Sequence, residues 1–167
     1  MSQMIEEMKK EKYTDLIVIG ERHKEPYTLT MIHLPDGPTA YYRLSSIRSA
    51  KSIRNHGNPT SHPPELIMNH FNTMLGVTVG RFLTSLFPPR PEFRGRQVVT
   101  FHNQRDFIFF RRHRYIFNTT EKVSLQELGP RFTLKLYAIQ KGTYQVKDGE
   151  YLWIRKKGMN TRKSFCL

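Results

Sequence analysis

A chain of 167 residues with 38% hydrophobic content can bury the core of one domain or of two small packed halves. Its lone cysteine, Cys166, excludes an intrachain disulfide or a multi-cysteine zinc site, and a net charge of +13 points to a polyanionic partner in a reducing compartment. No stretch approaches the ~20 apolar residues of a membrane span, and the charged opening from Met1 to Lys12 does not read as a signal peptide.

In chain order, the pattern predicts a helix over Ser2–Lys12 and strands at Asp15–Ile19, Thr28–Leu34 and Tyr41–Ser46. The string SAKSIRNHGNPTSHPP then reads as a short helical piece passing into a Pro/Asn/Ser linker. A strand is expected at Pro64–His70. A helix follows over Gly76–Phe87, with Val79, Phe82, Leu83 and Leu86 on one face and Pro88-Pro89 as its stop. Gly76 and Gly80, four apart, suit close packing of that helix on a sheet. Val98–His102 reads as a strand, Asn103-Gln104-Arg105 as a turn, and Phe107 onward as a strand that bends where RRHR breaks the alternation.

The last predicted strand, Arg131–Ile139, alternates strictly after the turn signal Gly129-Pro130. Arg131, Thr133, Lys135 and Tyr137 share one face, and Phe132, Leu134, Leu136 and Ala138 the other. The apolar face suits a core. The polar face offers cations, a hydroxyl and a phenol, which suits phosphates and stackable bases. The tail from Asp148 holds an apolar patch, Tyr151–Ile154, for which the core reading is favoured. It also carries the basic residues Arg155, Lys156, Lys157, Arg162 and Lys163.

The chain also reads as two copies of one unit. GPTAYYRLSSI begins at Gly37-Pro38 and GPRFTLKLYAI at Gly129-Pro130, with a cation at the same offset (Arg43, Lys135) followed by leucine and isoleucine. LIVIGER and VTFHNQR match in pattern further upstream, and such ordered matches point to an internal duplication. The first copy lacks a counterpart of the Pro64–His70 strand, so it is expected to be shortened at its start. The resulting division is 1–56, a linker at 57–63, a second half at 64–145, and a basic tail at 146–167.

Charge falls mostly on the second half. Residues 1–89 hold ten Lys/Arg against eight Asp/Glu, and residues 90–167 hold seventeen against six. Between Arg90 and Tyr115 stand seven arginines and no lysine, interleaved with Phe93, Phe101, Phe107, Phe109, Phe110 and Tyr115. A guanidinium grips phosphate as a flat fork and also stacks on bases, which a lysine does not do. Most of these phenylalanines read as core. Arg94, Arg96, Arg105, Arg111, Arg112 and Arg114 read as nucleic-acid contacts.

The strings GRQVVTFHNQRDFIFFRRHRYIF, LQELGPRFTLKL and QKGTY, with YTDLIVIGERHKEPYTLTMIHLPDGPTAYYRLSSIR in the first half, resemble the Brix-domain family. The resemblance implies an α/β fold of duplicated Brix architecture, each half similar to the anticodon-binding domain of some tRNA synthetases, the first half incomplete. It implies an RNA-binding motif over 127–144, carried by Glu127, Leu128, Gly129, Pro130, Arg131, Phe132, Thr133, Leu134, Lys135 and Leu136, then Gln140, Lys141 and Tyr144. Tyr137 stands where family members usually carry another cation. The resemblance further implies a nucleolar factor bound to ribosomal RNA in the pre-60S particle, beside an assembly factor of the Mak family, with no cofactor, no metal, no membrane and no small-molecule substrate.

His102, Asp106 and His113 invite an enzyme reading, that of an RNA-processing, nuclease-like activity. Acid–base work needs groups within hydrogen-bond reach, and a metal needs three or four converging ligands. The arginines around His113 would disfavour its protonation and repel a metal, and no phosphate loop of Walker spacing occurs. The expected protein is not an enzyme. A tRNA-binding module and a scaffold that binds proteins through Tyr151–Ile154 remain as alternatives.

Overall fold

The computed structural model describes residues 1–145, 149–159 and 165–167. In chain order its elements are α1 (Ser2–Lys10), β1 (Asp15–Arg22), β2 (Glu25–His33), β3 (Thr39–Arg48), β4 (Glu65–Asn69), α2 (Met74–Thr84), β5 (Gln97–Gln104), β6 (Phe107–Phe117), β7 (Val123–Glu127), β8 (Arg131–Gln140) and β9 (Tyr151–Ile154). This is a mixed α/β fold with both parallel and antiparallel strand pairs. Two compact units emerge, residues 1–45 with 135–165 and residues 46–134 with 166–167. The boundaries of these units fall inside β3 and β8. The reason is the length of β8, which bonds to β6 with its first residues and to β9 with its last.

The first unit is built on an antiparallel meander, β1 to β2 to β3. Side chains alternate across it. Met31, Ala40, Tyr42 and Leu44 bury on one face. On the other, Ile32 meets Ile5 of α1 in a cluster with Leu34, Met8, Leu16 and Tyr144. Asp15 closes the meander's end through a 2.7 Å bond to Nδ1 of His33. The Tyr151–Ile154 patch is β9, whose Trp153 lies opposite Ile139 and is partly covered, the Arg155 guanidinium standing 5.6 Å from its ring. Tyr151, Leu152 and Ile154 stay exposed. Arg162 and Lys163 of the tail lie outside the described residues.

In the second unit β4 and β5 are parallel, joined through α2, and β5 and β6 form an antiparallel hairpin. The Thr73 hydroxyl accepts from the Gly76 N–H at 2.8 Å and caps α2. Gly76, Val79, Gly80, Phe82 and Leu83 are its buried face. A side chain at Gly76 would come within 3.0 Å of the Leu167 backbone, so this close approach needs glycine. The helix ends at Thr84 rather than at the expected Phe87. There Thr84 and Ser85 bond back to the Gly80 and Phe82 carbonyls, and Pro88 disfavours a helical Phe87. The expected bend at RRHR does not interrupt pairing, because β6 matches β5 residue for residue through Arg114. β7 was not expected. It pairs with the far half of β6, while Val123 and Leu125 remain exposed.

Candidate nucleic-acid interface

The second unit presents its arginines from β6 and the strands beside it. In β6, period-two alternation sends Phe109, Arg111 and His113 to one face and Ile108, Phe110, Arg112 and Arg114 to the other. The three arginines of the RRHR string are therefore split between faces. Arg112 and Arg114 share the face of Phe101 and Phe110, toward the linker. Arg112 donates to the Gln97 amide oxygen at 2.8 Å, and Arg114 to the Asn58 carbonyl at 2.9 Å. Burial lowers the pKa of Arg112. These two hold the linker against β5 and β6.

The opposite face gathers Arg111, His113, Glu127 and Arg131. Glu127 on β7 sits across from His113. It accepts two bonds from Arg131, from Nε and Nη2, each 2.6 Å. That fork geometry is the strong form of the Arg–carboxylate contact. It also holds the Glu127 carboxyl below its usual pKa range, ahead of a smaller opposing effect of burial. Arg111 donates to the Phe110 carbonyl at 2.7 Å and lies 5.9 Å from the Phe109 ring. The His113 pKa is lowered first by burial, with Glu127 pulling up and Arg111 and Arg131 pulling down. The expected repulsion by arginines is present, but burial outweighs it.

The turn before β8 is shaped by close contacts. Leu128 is fully buried, and its N–H donates to the Arg112 carbonyl at 2.8 Å. Gly129 has φ +63°, and an added side chain would fall 2.8 Å from Ala50 Cα, so glycine is required. Pro130 is exposed and follows a cis peptide bond. Along β8, Leu134 and Leu136 are buried as the alternation predicts, while Phe132 stacks on Phe110 at 4.3 Å. Thr133 differs. It has the parity of Arg131 yet is 4% exposed, because it lies across from Phe109 in the middle of the β6–β8 pairing. Lys135 is half-buried and Tyr137 exposed.

The later members of the expected set separate as well. Gln140 is fully buried. It accepts from the Tyr41 hydroxyl at 2.6 Å and donates to the Gln145 carbonyl, so it has no face toward a ligand. Burial is the main reason the Tyr41 phenol is pushed up to about 12. Lys141 is exposed and bonds Glu150 at 3.0 Å. Tyr144 packs against the Ile5–Ile32 cluster.

Arg94 and Arg96 are exposed at the start of β5, the latter in a left-handed conformation. Arg105 is exposed in the turn at its other end. An eight-residue strand separates them, roughly 26 Å at a strand's rise per residue. They flank the arginine face and do not join it. Sequence reasoning missed Gln97, which is buried and ties Thr60, His62 and Arg112 together. A buried amide at the start of an apolar strand was the available signal.

The acid–base reading does not assemble. His113 lies across from Val98 and His102 across from Phe109, four residues or roughly 13 Å apart along the strand. Asp106 is fully buried and accepts the backbone N–H groups of Cys166 and Leu167 at 2.8 and 2.9 Å, a structural task. Among the described residues no three His, Cys, Asp or Glu side chains converge as metal ligands, and no helix is long and apolar enough to cross a membrane.

Comparison with known proteins gives a consistent result. Residues 2–138 match the Brix domain. The chain is 57% identical over 158 residues to ribosome production factor 1 of Mus musculus, across 93% of this chain and 45% of that protein. It is 54% identical over 154 residues to ribosome production factor 1 of Saccharomyces cerevisiae, across 92% of this chain and 51% of that one. The chain thus spans about half the length of the curated relatives it matches. Among solved structures, a probable ribosomal biogenesis protein from Aeropyrum pernix K1 aligns with a TM-score of 0.52 at 10% identity, over 92% of this chain and 77% of that one, a likeness of fold alone.

Proposed function

We propose a function from one premise: the chain belongs to the Brix-domain family. The resemblance read from its long strings is borne out, and its relatives are ribosome production factors. On that premise the chain is an RNA-binding ribosome biogenesis factor. It contacts ribosomal RNA during maturation of the large (60S) subunit and catalyses no reaction. It works in the nucleolus within the pre-60S particle, beside a Mak-family assembly factor.

One observation carries the RNA reading. Arg111, His113 and Arg131 stand on one sheet face around a single carboxylate, Glu127, leaving a net positive surface next to the Phe109 ring. Arg94, Arg96 and Arg105 extend the positive charge beyond it. Lys135, Lys141, Tyr137 and the basic tail belong to the same reading in the first unit. Leu128, Leu134, Leu136 and Gln140 serve it by shaping the strand rather than by touching RNA.

The architecture follows the same proposal: a duplication with halves at 1–56 and 64–145, each akin to a synthetase anticodon-binding domain, a linker at 57–63, and a tail at 146–167. Two glycines support it. Gly37 and Gly129 both have positive φ, both precede a proline, and each proline is followed directly by a ten-residue strand.

Titration of the protein with single-stranded RNA at rising salt tests the function. Log affinity should fall with log salt at a slope of about −0.7 for each phosphate neutralised. A slope near zero would refute the electrostatic reading. A preference for tRNA over ribosomal RNA would favour a tRNA-binding module, and cleavage of the RNA would favour an enzyme.

A further inference from the structure

The first unit holds a second arginine–aromatic site, in which Arg22, Tyr27 and Arg43, outside the 127–144 motif, meet Tyr137 of that motif. β1 and β2 pair regularly until Gly20 meets Thr28 and Glu21 meets Pro26, which leaves Tyr27 as an extra residue on β2. A bulge of this kind re-aims a side chain. Tyr27 consequently joins Thr28 at a hollow with Arg43 and Tyr137, where regular alternation would have sent it to the other face. The Tyr27 ring lies 5.3 Å from the Arg22 guanidinium and 5.0 Å from that of Arg43. Neither arginine forms an ion pair among the described residues. Gly20 keeps the place open, since a side chain there would come within 2.3 Å of the Thr28 hydroxyl.

The hollow measures about 130 Å³. Pockets for whole small molecules run to roughly 300–1,000 Å³, so this one suits a single flat group belonging to a longer ligand. Tyr137 is 43% exposed and stacks on no other ring among the described residues, and Arg43 is exposed beside it. A free aromatic face next to guanidinium groups oriented over a tyrosine is the arrangement that takes a base together with its phosphate.

We propose that this hollow binds one nucleotide of single-stranded RNA, with the base stacked on Tyr137 and the adjoining phosphate held by Arg43 and Arg22. The proposal rests on the RNA reading above and adds a second contact to it. Tyr27, with both guanidiniums against its ring, is a positioning residue for the two arginines.

The test uses the full chain, fluorescently labelled single-stranded oligouridine and a salt series. Tyr137→Ala should weaken binding about five-fold or more, the usual loss on removing a stacked aromatic. Arg43→Gln should flatten the salt slope by about 0.7. Ultraviolet crosslinking should place a uridine on Tyr137 or Tyr27. Both substituted side chains are exposed, and thermal melts of the variants should match the parent. If the parent binds RNA while both variants keep its affinity and slope, the hollow is not a site, although the RNA reading survives. If Arg43→Gln weakens binding but Tyr137→Ala does not, the patch acts by charge alone and the stacking site is refuted. If the parent binds no single-stranded RNA, both readings fail together.

Discussion

The two arginine–aromatic regions use the same residue types and wire them differently. In the second unit every arginine of the RRHR string donates to a named acceptor, and Arg131 is clamped by Glu127. In the first, Arg22 and Arg43 rest against Tyr27, and among the described residues neither has a carboxylate partner. A clamped guanidinium is fixed in direction, but part of its charge is already neutralised. A stacked, unpaired one keeps its full charge and its N–H groups for a ligand. The number of arginines alone would place nearly all binding in the second unit. If both regions bind RNA as proposed, their partners imply different roles: the arginines of the RRHR string and Arg131 are held in fixed directions, while Arg22 and Arg43 keep their charge available.

The largest expected effect breaks the comparison at its scaffold. Leu134 is 2% exposed and lies across from Ile108, two residues before the Phe110 that stacks on Phe132. Leu134→Ala should cost about 2–5 kcal/mol by leaving a cavity in the core. Urea denaturation would measure it. A loss of under about 0.5 kcal/mol, typical of surface changes, would mean that β8 is not seated as described.

A smaller effect separates the regions by pH. His113 has its pKa lowered, mainly by burial. The unfolded chain then takes up a proton near the ordinary value of about 6.5 while the folded chain does not. Stability is therefore full above that pH and falls as the pH drops through it toward the folded value. Glu127 has a lowered pKa for the opposite charge type, so the stability it contributes is lost only further down, as pH falls through its own folded value. Melting temperature should decline from pH 7 to pH 5.5 in the parent and decline less in His113→Gln. An identical decline in both would assign the pH response to other groups.

Much of this was legible in the sequence, and the losses have physical causes. The alternation along 131–138 placed Leu134 and Leu136 in the core because parity is a local property. Parity does not say what covers each face, so the burial of Thr133 could not be read from it. Gln140 entered as a ligand contact through the family resemblance, and nothing local could correct that, because its partner, Tyr41, is 99 residues away in the chain. β7 was passed over because Val123–Glu127 offers only two apolar residues in alternation, too short a run to set a strand apart from a loop. Arg43 was noticed only for its offset from Gly37-Pro38. The bulge that gives it Tyr27 is a matter of register, and a sequence does not display register.

The smallest effect sharpens the comparison at one carboxylate. Glu127→Gln keeps the shape of the clamp and one acceptor oxygen but removes the negative charge facing Arg131, Arg111 and His113. If Arg131 is a phosphate contact whose charge is partly spent on Glu127, the substitution should tighten RNA binding and steepen the salt slope by up to about 0.7. The protein should meanwhile lose the stability that ionised Glu127 contributes at neutral pH, and with it that part of the decline in acid. Two outcomes would overturn this view of the second unit. An unchanged slope would make the Arg131–Glu127 pair purely structural. A weaker affinity with the slope retained would show that the clamp's geometry matters more than the charge it neutralises. Running Arg43→Gln alongside calibrates the result, because that arginine has no carboxylate to release, and its loss sets the scale of one unpaired contact.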